Sequence, residues 1–223
     1  MIYSSIVFSR LPLALFRVIS QYTNMSILFT TCKYLWHGEE RKEVIYLSLK
    51  DNVAMRFAAL DDTFRNYIYS RVQSSNRQIS VNLHSNQIND VSALGKVHSL
   101  YLGNCDGVND VSALGKVHTL TLRGCNGVTD VSALGKVHSL NLRGCNVTDV
   151  SALWKVHTLN LSHCSGVTDV SALGKVHTLN LSDCSGVTDV SALGNVHTLY
   201  LSRCSGVTNV SALGNVHTLH LTR

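Results

Sequence analysis

The sequence contains little proline, glutamate or aromatic residue, and it has no long apolar run. One proline, three glutamates and 7% aromatic residues occur in 223 positions. The apolar stretch at residues 1–9 is soon interrupted by Arg10 and Arg17, and no basic residue precedes it. A signal peptide or a membrane span is therefore not expected. The net charge of +5 is too small an excess to indicate a nucleic-acid-binding protein.

The scarce residues are concentrated in one part of the chain. The single proline, all three glutamates and all five phenylalanines lie within residues 1–78. This segment has ten basic and six acidic residues, whereas residues 79–223 have nine and eight. The change of composition predicts a small amino-terminal unit followed by one elongated unit.

Residues 79–223 consist of near-identical copies of V-H-[TS]-L-x-L-x-x-C-x-G-V-[TN]-[DN]-V-S-A-L-G. A degenerate copy begins at Ile79, which makes about eight repeats, the last one incomplete. The histidines that mark the register are 19 or 20 residues apart and are His98, His118, His138, His157, His177, His197 and His217. A period near twenty predicts a solenoid in which each repeat is one structural unit.

One repeat contains two kinds of apolar spacing. Residues 176–182 alternate apolar and polar side chains, which predicts a short strand with one buried face. Val187, Val190 and Leu193 follow at steps of three, which favours a 3-10 return segment over a second strand. Roughly seven apolar side chains per repeat should point inward, and they become buried only when repeats stack.

Glycine and aspartate recur at the ends of these segments. We expect Gly186 to turn the chain and Gly194 to end the coil, both in the left-handed region that glycine enters easily. Short carboxylates can accept backbone N–H bonds at the start of a coil. The aspartates assigned this capping role are Asp130, Asp149, Asp169 and Asp189.

The pattern L-x-L-x-x-[NC]-x-(G)-V-x-D-V-S-x-L resembles the leucine-rich repeat, in particular the short kind with Asp-Val after the turn. The resemblance covers about residues 79–223. It implies an α/β solenoid: a right-handed coil whose eight strands, about 4.8 Å apart, form a parallel concave sheet. At 19 to 20 residues per repeat, the convex side should be thin and without full helices.

Six cysteines share one repeat position: Cys105, Cys125, Cys145, Cys164, Cys184 and Cys204. One cysteine per coil does not supply a tetrahedral zinc site, whereas disulfides between neighbouring coils remain geometrically conceivable. The resemblance implies a third role, in which the thiol points inward and bonds to neighbouring backbone, as the amide of Asn86 would in the first copy. That role favours a reducing compartment.

The histidine column permits a metal-binding or pH-sensing hypothesis, but its presence in every copy favours a consensus feature of the scaffold. Serine, histidine and aspartate also recur in every copy, so no set stands apart as a catalytic triad. No nucleophile, metal cluster or phosphate-binding loop is evident. We therefore expect neither an enzyme nor a cofactor.

Variation between copies is concentrated between and after the two strand leucines. By the alternation of the strand, these positions face solvent on the concave sheet, where repeat proteins usually bind partners. Tyrosine and arginine are enriched there, as they are at protein interfaces, although neutral drift of a solvated surface would also produce variation. The predicted partner-binding residues are Asn82, His84, Tyr101, Asn104, Thr121, Arg123, Asn141, Arg143, Asn160, His163, Asn180, Asp183, Tyr200 and Arg203.

The amino-terminal segment has the pattern L-P-x-x-L-[LF]-x-x-I, then an apolar stretch and [SC]-K-x-[LW], which resembles an F-box. The resemblance implies that residues 1–40 dock on a Skp1-like adaptor of a cullin-RING ubiquitin ligase, and that residues 41–78 are a helical linker or cap. The alternative is a helical cap that only shields the first coil. The implied docking residues are Leu11, Pro12, Leu15, Phe16, Ile19 and Leu28.

An F-box-like start before uniform V-S-A-L-G-[KN]-V-H-T-L repeats is similar to the F-box/leucine-rich-repeat proteins multiplied in large amoeba-infecting DNA viruses. The resemblance implies a substrate-recruiting adaptor in the cytoplasm, that of the host if the protein is viral. The alternative is a stand-alone binding module or decoy. The last repeat stops after its strand at Leu219–Leu221, and this open parallel edge predicts self-association.

Overall fold

The computed structural model describes residues 45–49, 78–84 and 88–222. In these ranges, nine strands form one parallel sheet in chain order, and seven 3-10 segments connect strands β2 to β9. The F-box-like segment 1–40, with its docking residues, and most of the predicted linker 41–78 lie outside the described residues. Within the described ranges there is no helix with the length and apolar character needed to cross a bilayer.

The elements follow the repeat. The strands are β1 Ile45–Leu49, β2 Ile79–His84, β3 Ser99–Gly103, β4 Thr119–Arg123, β5 Ser139–Asn141, β6 Thr158–Asn160, β7 Thr178–Asn180, β8 Thr198–Tyr200 and β9 Thr218–His220. The 3-10 segments are η1 Ser92–Leu94, η2 Ser112–Leu114, η3 Ser132–Leu134, η4 Ser151–Leu153, η5 Ser171–Lys175, η6 Ser191–Leu193 and η7 Ser211–Asn215.

Strand β1 is a difference from the sequence-based expectation. It lies inside the range 41–78, for which a helical linker was predicted, and it pairs with β2 in the register Ile45 to Ile79. The segment I-Y-L-S-L has the same x-L-x-L alternation as the repeat strands, so it extends the sheet from the predicted eight strands to nine. The helical prediction is wrong for these five residues.

The core lies between the sheet and the 3-10 segments and forms one continuous cluster. In a central coil, seven apolar side chains are at most 1% exposed: Leu159, Leu161, Cys164, Val167, Val170, Leu173 and Val176. Each is worth about 1.5–3 kcal/mol when fully buried. Since neighbouring coils supply the burial, stability is a sum of repeat and interface contributions, which confirms the prediction of seven inward groups per repeat.

The predicted aspartate caps are present at the start of the 3-10 segments. Asp169 Oδ1 accepts the N–H of Ser171 at 2.8 Å, and Asp130, Asp149 and Asp189 make the same bond with the serine two residues ahead. These backbone and serine hydrogen bonds hold the pKa of each carboxyl below its usual range. Each cap satisfies an N–H that the short helix cannot satisfy itself.

The predicted left-handed glycines are wrong. Gly194 ends η6 in the right-handed region, with φ −60° and ψ −18°, and Gly186 does not have a positive φ. Glycine is needed at position 194 because a Cβ there would lie 2.5 Å from the carbonyl oxygen of Ala212 in the next coil. Close approach of the coils, rather than backbone conformation, explains this glycine.

The described part of the chain is a solenoid of parallel-stranded coils, as the resemblance to leucine-rich repeats implied. Each repeat contributes one strand to the sheet and one 3-10 segment opposite it, which is the architecture of short repeats of this class. The edge of the sheet where strands end is called the carboxyl edge below, and the edge where they begin is called the amino edge.

Candidate functional site

The predicted partner-binding residues form two neighbouring groups at the outward face and carboxyl edge of the sheet. Residues between the strand leucines are in register across coils, with Asn82 opposite Tyr101 and Asn180 opposite Tyr200. The side chains of this first group are half-buried, whereas His84, Asn104, Arg123, Arg143, His163 and Arg203 are exposed. The stacking of coils therefore brings the predicted residues together on one continuous surface.

Three of these residues have a role in the scaffold. Asn141, Asn160 and Asn180 each use Oδ1 to accept the backbone N–H two residues ahead, at 2.9 to 3.0 Å. Strands β5, β6 and β7 end at these asparagines, while β3 and β4 continue for two more residues. The bond is an Asx turn, which competes with the sheet for the backbone. These amides close turns first and can offer only their Nδ2 groups to a partner.

The residue before each cysteine adopts the left-handed conformation. This holds for Gly124 and Gly144 and also for residues with side chains: Asn104 (φ 53°), His163 (φ 61°), Asp183 (φ 61°) and Arg203 (φ 56°). Left-handed backbone costs a residue with a Cβ about 1–2 kcal/mol. The conformation persists because each N–H reaches the next coil, as in the 2.9 Å bond from His163 N to Ser182 O.

His163, Asp183 and Arg203 occupy this left-handed position in three successive coils and form a chain of charge along the carboxyl edge, together with Arg143, the residue before the left-handed Gly144. Arg203 binds Asp183 through Nε at 2.6 Å and Nη2 at 2.7 Å. His163 Nε2 lies 3.4 Å from Asp183 Oδ2 and 3.1 Å from Arg143 Nη2. Members of this chain are about 20 residues apart in sequence and meet only through stacking.

Asp183 is the member of this row of charged side chains that contacts both Arg203 and His163. Hydrogen bonding by Arg203 lowers the pKa of Asp183, and the same contact raises the pKa of Arg203. A single nitrogen of His163 faces both Arg143 and Asp183. It can accept a hydrogen bond from the arginine when neutral or donate one to the aspartate when protonated, but not both.

An aromatic pair extends this surface toward the last coil. The rings of Tyr200 and His220 are stacked, with centroids 4.3 Å apart and an interplanar angle of 2°. They lie opposite each other on β8 and β9, in the coils next to Asp183 and Arg203. A flat aromatic platform beside paired and unpaired arginine charges is a composition enriched at protein interfaces.

The cysteine column belongs to the scaffold, as the resemblance implied. Each thiol of the four coils from Cys145 to Cys204 donates to the carbonyl of a strand leucine in the preceding coil, for example Cys145 Sγ to Leu122 O at 2.8 Å. All six cysteines of the repeats are free and buried. Burial raises the pKa of Cys145 and Cys184 to about 12. Inter-coil disulfides are absent from these described cysteines.

The histidine column runs along the amino edge. Neighbouring rings from His98 to His217 are stacked with centroids 4.5 to 4.8 Å apart. Burial, and then the adjacent imidazoles, lower the pKa of His98, His157 and His197. In residues 45–49, 78–84 and 88–222, no three histidine, cysteine, aspartate or glutamate side chains are grouped so as to hold a metal ion.

Two features of the surface went unnoticed at the level of sequence. The position after S-A-L-G, or after S-A-L-W in one coil, is asparagine in the last two coils and lysine in the five before them: Lys96, Lys116, Lys136, Lys155 and Lys175. Trp154 stands where the other coils have glycine, is 41% exposed and lies under Lys155 Nζ at 4.4 Å. The replacement of one glycine in an otherwise constant column was the signal that could have identified this place.

No protein-family model and no curated protein matches the chain. Among solved structures, it is similar to an internalin C2 from Listeria monocytogenes, with 26% identity over 66% of this chain and 72% of that chain and a TM-score of 0.48. The internalin InlF from the same species is 20% identical over 69% of this chain and 65% of that chain, with a TM-score of 0.33.

A third similarity is to the functional domain of InlJ from Listeria monocytogenes, which is described as including a cysteine ladder. It is 18% identical over 66% of this chain and 39% of that chain, with a TM-score of 0.37. All three of these chains are internalins.

Proposed function

We propose that this protein is a protein-binding module that holds a partner on the outward face and carboxyl edge of its sheet. The observation that carries the proposal is the left-handed position before the cysteine. Gly124 and Gly144 fill it without strain, yet the following coils place His163, Asp183 and Arg203 there. Residues held in a costly backbone conformation cluster at functional sites, and these three carry the charge chain.

The chemistry of this edge defines the partner surface that would fit it. Arg123 and Arg143 are exposed, and Arg203 is exposed although it is paired with Asp183. The stacked pair Tyr200 and His220 gives a flat apolar area beside them. A partner with a carboxylate for the arginines and an apolar side chain for the aromatic platform would satisfy both features.

The proposal includes a role as a substrate-recruiting adaptor in the cytoplasm. The F-box-like pattern of residues 1–40 supports it, with Leu11 and Ile19 at the implied docking positions. In this role the amino-terminal segment binds a Skp1-like adaptor and the carboxyl edge binds the target. The alternative is a stand-alone module or decoy whose amino-terminal segment only caps the solenoid.

Affinity capture from cell extract tests the binding surface. We compare the wild type with the triple variant Arg123→Ala, Arg143→Ala and Tyr200→Ala, and with a control that replaces the exposed His118, His138 and His157 by asparagine at the amino edge. Partners that are lost with the first variant and kept with the control support the carboxyl edge. Equal recovery with all three proteins overturns it.

A second experiment tests the adaptor role separately. Purified Skp1-like protein is added to the full chain and to the double variant Leu11→Asp and Ile19→Asp, and binding is measured by calorimetry. Binding that the double variant abolishes supports the adaptor. If the wild type does not bind at concentrations of about 10 μM, where a contact worth roughly 7 kcal/mol would be evident, the stand-alone module is the correct function.

Self-association remains part of the proposal. Leu219 and Leu221 on and after β9 are 38% and 43% exposed, and an uncovered strand edge is a template for pairing. Sedimentation velocity at several protein concentrations tests self-association. A single boundary with the sedimentation coefficient of a monomer at every concentration would rule it out.

A further inference from the structure

The solenoid carries a second surface, remote from the carboxyl edge. A groove of about 740 Å³ runs across four coils on the side of the 3-10 segments. Its lining repeats the serine, alanine, glycine and lysine of S-A-L-G-K in three successive coils and then includes Ala152, Trp154 and Lys155. This groove does not share a residue with the surface proposed above.

One wall of the groove is a column of lysines. Lys96, Lys116, Lys136 and Lys155 line it, and Lys175 continues the column beyond Trp154. Adjacent coils are about 4.8 Å apart, so these ammonium groups are anchored at close intervals without an acid between them in the column. Like charges at directly opposite positions of adjacent strands destabilise a sheet. An anion that lies along the column would therefore reduce the repulsion between the ammonium groups.

The charges around Lys116 and Lys136 do not neutralise these two lysines. Lys116 and Lys136 make no ion pair with any residue the structure describes. The aspartates two residues before the groove serines, such as Asp110 and Asp130, are engaged by the backbone N–H groups of those serines at 2.9 Å. The neighbouring column on the strand side is that of the histidines, which adds no negative charge.

The floor and the end of the groove give it shape. Gly95, Gly115 and Gly135 have no side chain, and a Cβ at each would lie 2.2 to 2.3 Å from an alanine carbonyl of the next coil. Glycine at these positions therefore lets successive coils pack closely and adds no side chain to the floor. Trp154 interrupts it, with Lys155 Nζ at 4.4 Å and Lys175 Nζ at 5.5 Å from its ring.

We propose that this lysine groove binds an acidic, extended polypeptide segment. Four coils span roughly 15–20 Å, which accommodates about five or six extended residues. Lysine ammonium groups are point charges on flexible stems and adjust to carboxylates that repeat at a different spacing. A single-stranded nucleic acid is disfavoured because it requires a series of aromatic platforms, and the groove has one tryptophan, already covered by lysines.

The tryptophan supplies a local reporter of binding. The chain has two tryptophans, Trp36 and Trp154, so a Trp36→Phe variant of the full chain leaves the groove as the source of tryptophan fluorescence. A peptide that pairs with Lys155 and Lys175 changes the environment of the ring. We use a peptide of alternating glutamate and threonine, a glutamine–threonine peptide of the same length, and an oligothymidylate of matched charge.

The matched variants have equal charge changes on opposite edges. The groove variant replaces Lys116, Lys136 and Lys155 by glutamine, and the control replaces Arg123, Arg143 and Arg203 by glutamine. We expect the groove variant to weaken binding of the glutamate peptide at least tenfold and the control to change it less than twofold. Since the replaced lysines are exposed, circular dichroism should show the same unfolding midpoint for the groove variant and the wild type.

Three results would overturn the proposal. The first is the absence of a fluorescence change with the glutamate peptide at about 1 mM, a concentration that detects contacts worth roughly 4 kcal/mol. The second is equal weakening by the groove and control variants, which indicates unspecific charge attraction. The third is tighter binding of the oligothymidylate than of the glutamate peptide through the same lysines. These results leave the carboxyl-edge proposal intact, because that proposal is tested separately, by partner capture with the Arg123, Arg143 and Tyr200 variant.

Discussion

Arg203 and Asp183 form a two-pronged ion pair between neighbouring coils, with Nε and Nη2 at 2.6 and 2.7 Å from the two carboxylate oxygens. Both residues have a positive φ, so the pair is built on a backbone conformation that glycine would adopt more easily. Exposed ion pairs contribute little to stability. The proposed function assigns the pair to recognition rather than to folding, and this assignment leads to the first prediction.

Replacing the left-handed residues by glycine should separate binding from stability. We expect His163→Gly and Arg203→Gly, singly or together, to leave the thermal unfolding midpoint unchanged or to raise it, because glycine relieves the left-handed strain. Partner capture through the carboxyl edge should fall strongly. Differential scanning calorimetry and affinity capture on the same preparations provide the comparison. A large drop in the midpoint would mean that these side chains are structural.

The buried thiols should be protected from alkylation until the solenoid unfolds. In a Cys32→Ser variant, the remaining cysteines are the six buried ones. Burial raises the pKa of Cys145, Cys164, Cys184 and Cys204 and keeps these thiols protonated near pH 8, and only the thiolate reacts with iodoacetamide. Cys105 and Cys125 are also buried and out of reach of the reagent. We expect negligible labelling in buffer and complete labelling in denaturant, as measured by mass spectrometry. Rapid labelling of the native protein would contradict the buried position of the cysteine column.

The bond from Cys164 to the carbonyl of Leu142, at 3.1 Å, can be tested by two substitutions of similar volume. Cys164→Val removes this donor, but the carbonyl still accepts the N–H of Cys145 at 3.0 Å, so we expect a cost of about 1 kcal/mol for the lost hydrogen bond. Cys164→Asn keeps a donor and introduces the residue type that the first copy has at this repeat position, Asn86, and it should retain more stability. Denaturant unfolding of both variants gives the two free energies. Equal losses would show that the thiol acts only through its volume.

Two glycines of the same column should respond oppositely to alanine. At Gly135 a Cβ would lie 2.3 Å from the carbonyl oxygen of Ala152, whereas at Gly214 it would meet no atom within 4 Å. We expect Gly135→Ala to cost about 1–3 kcal/mol because the coils must separate. Gly214→Ala should be neutral or stabilise the protein by up to about 1 kcal/mol through the unfolded state. Urea unfolding of both variants is the measurement, and similar effects would refute the close-approach explanation.

The histidine column should make stability depend on pH. Burial and neighbouring imidazoles lower the folded-state pKa of His98, His157 and His197, so the unfolded chain takes up protons first as the pH falls. Stability is therefore complete above about pH 6.5 and decreases as the pH falls through that value. We expect a lower unfolding midpoint at pH 5.5 than at pH 7.5.

A control variant isolates the contribution of this column to the pH dependence. Replacing His138, His157 and His177 by asparagine should reduce the difference in midpoint between the two pH values. The aspartate caps provide a separate effect, because their lowered pKa values reduce stability only as the pH falls through about 4. An unchanged difference between pH 7.5 and 5.5 in the variant would show that other groups cause it.

Much of the solenoid could be predicted from its sequence. The alternation around Leu179 and Leu181 predicted a strand, the three-residue steps to Leu193 predicted a 3-10 segment, and Asp169 caps its segment as expected. Strand β1 was missed because its short alternating pattern lies outside the repeat. The predicted left-handed conformations of Gly186 and Gly194 were wrong because the atoms that require glycine at these positions belong to adjacent coils.

The candidate site was only partly predictable for the same reason. The sequence identified the variable columns. It did not show that Asn160 Oδ1 accepts the backbone N–H of Ser162, or that the Arg143 side chain contacts His163. Trp154, which replaces one glycine of a constant column, marked this place in the sequence, but the sequence did not show the groove that ends there.

The sequence by itself determined the repeat length, the alternation of strand and 3-10 segment, and the residues that face the core, because these depend on local spacing and hydrophobicity. Only the tertiary structure decided which side chains meet across coils and which backbone positions are left-handed. Contacts such as Arg203 to Asp183 join residues 20 positions apart. Their geometry is set by the hydrogen bonds that hold one coil against the next, and no single repeat contains that information.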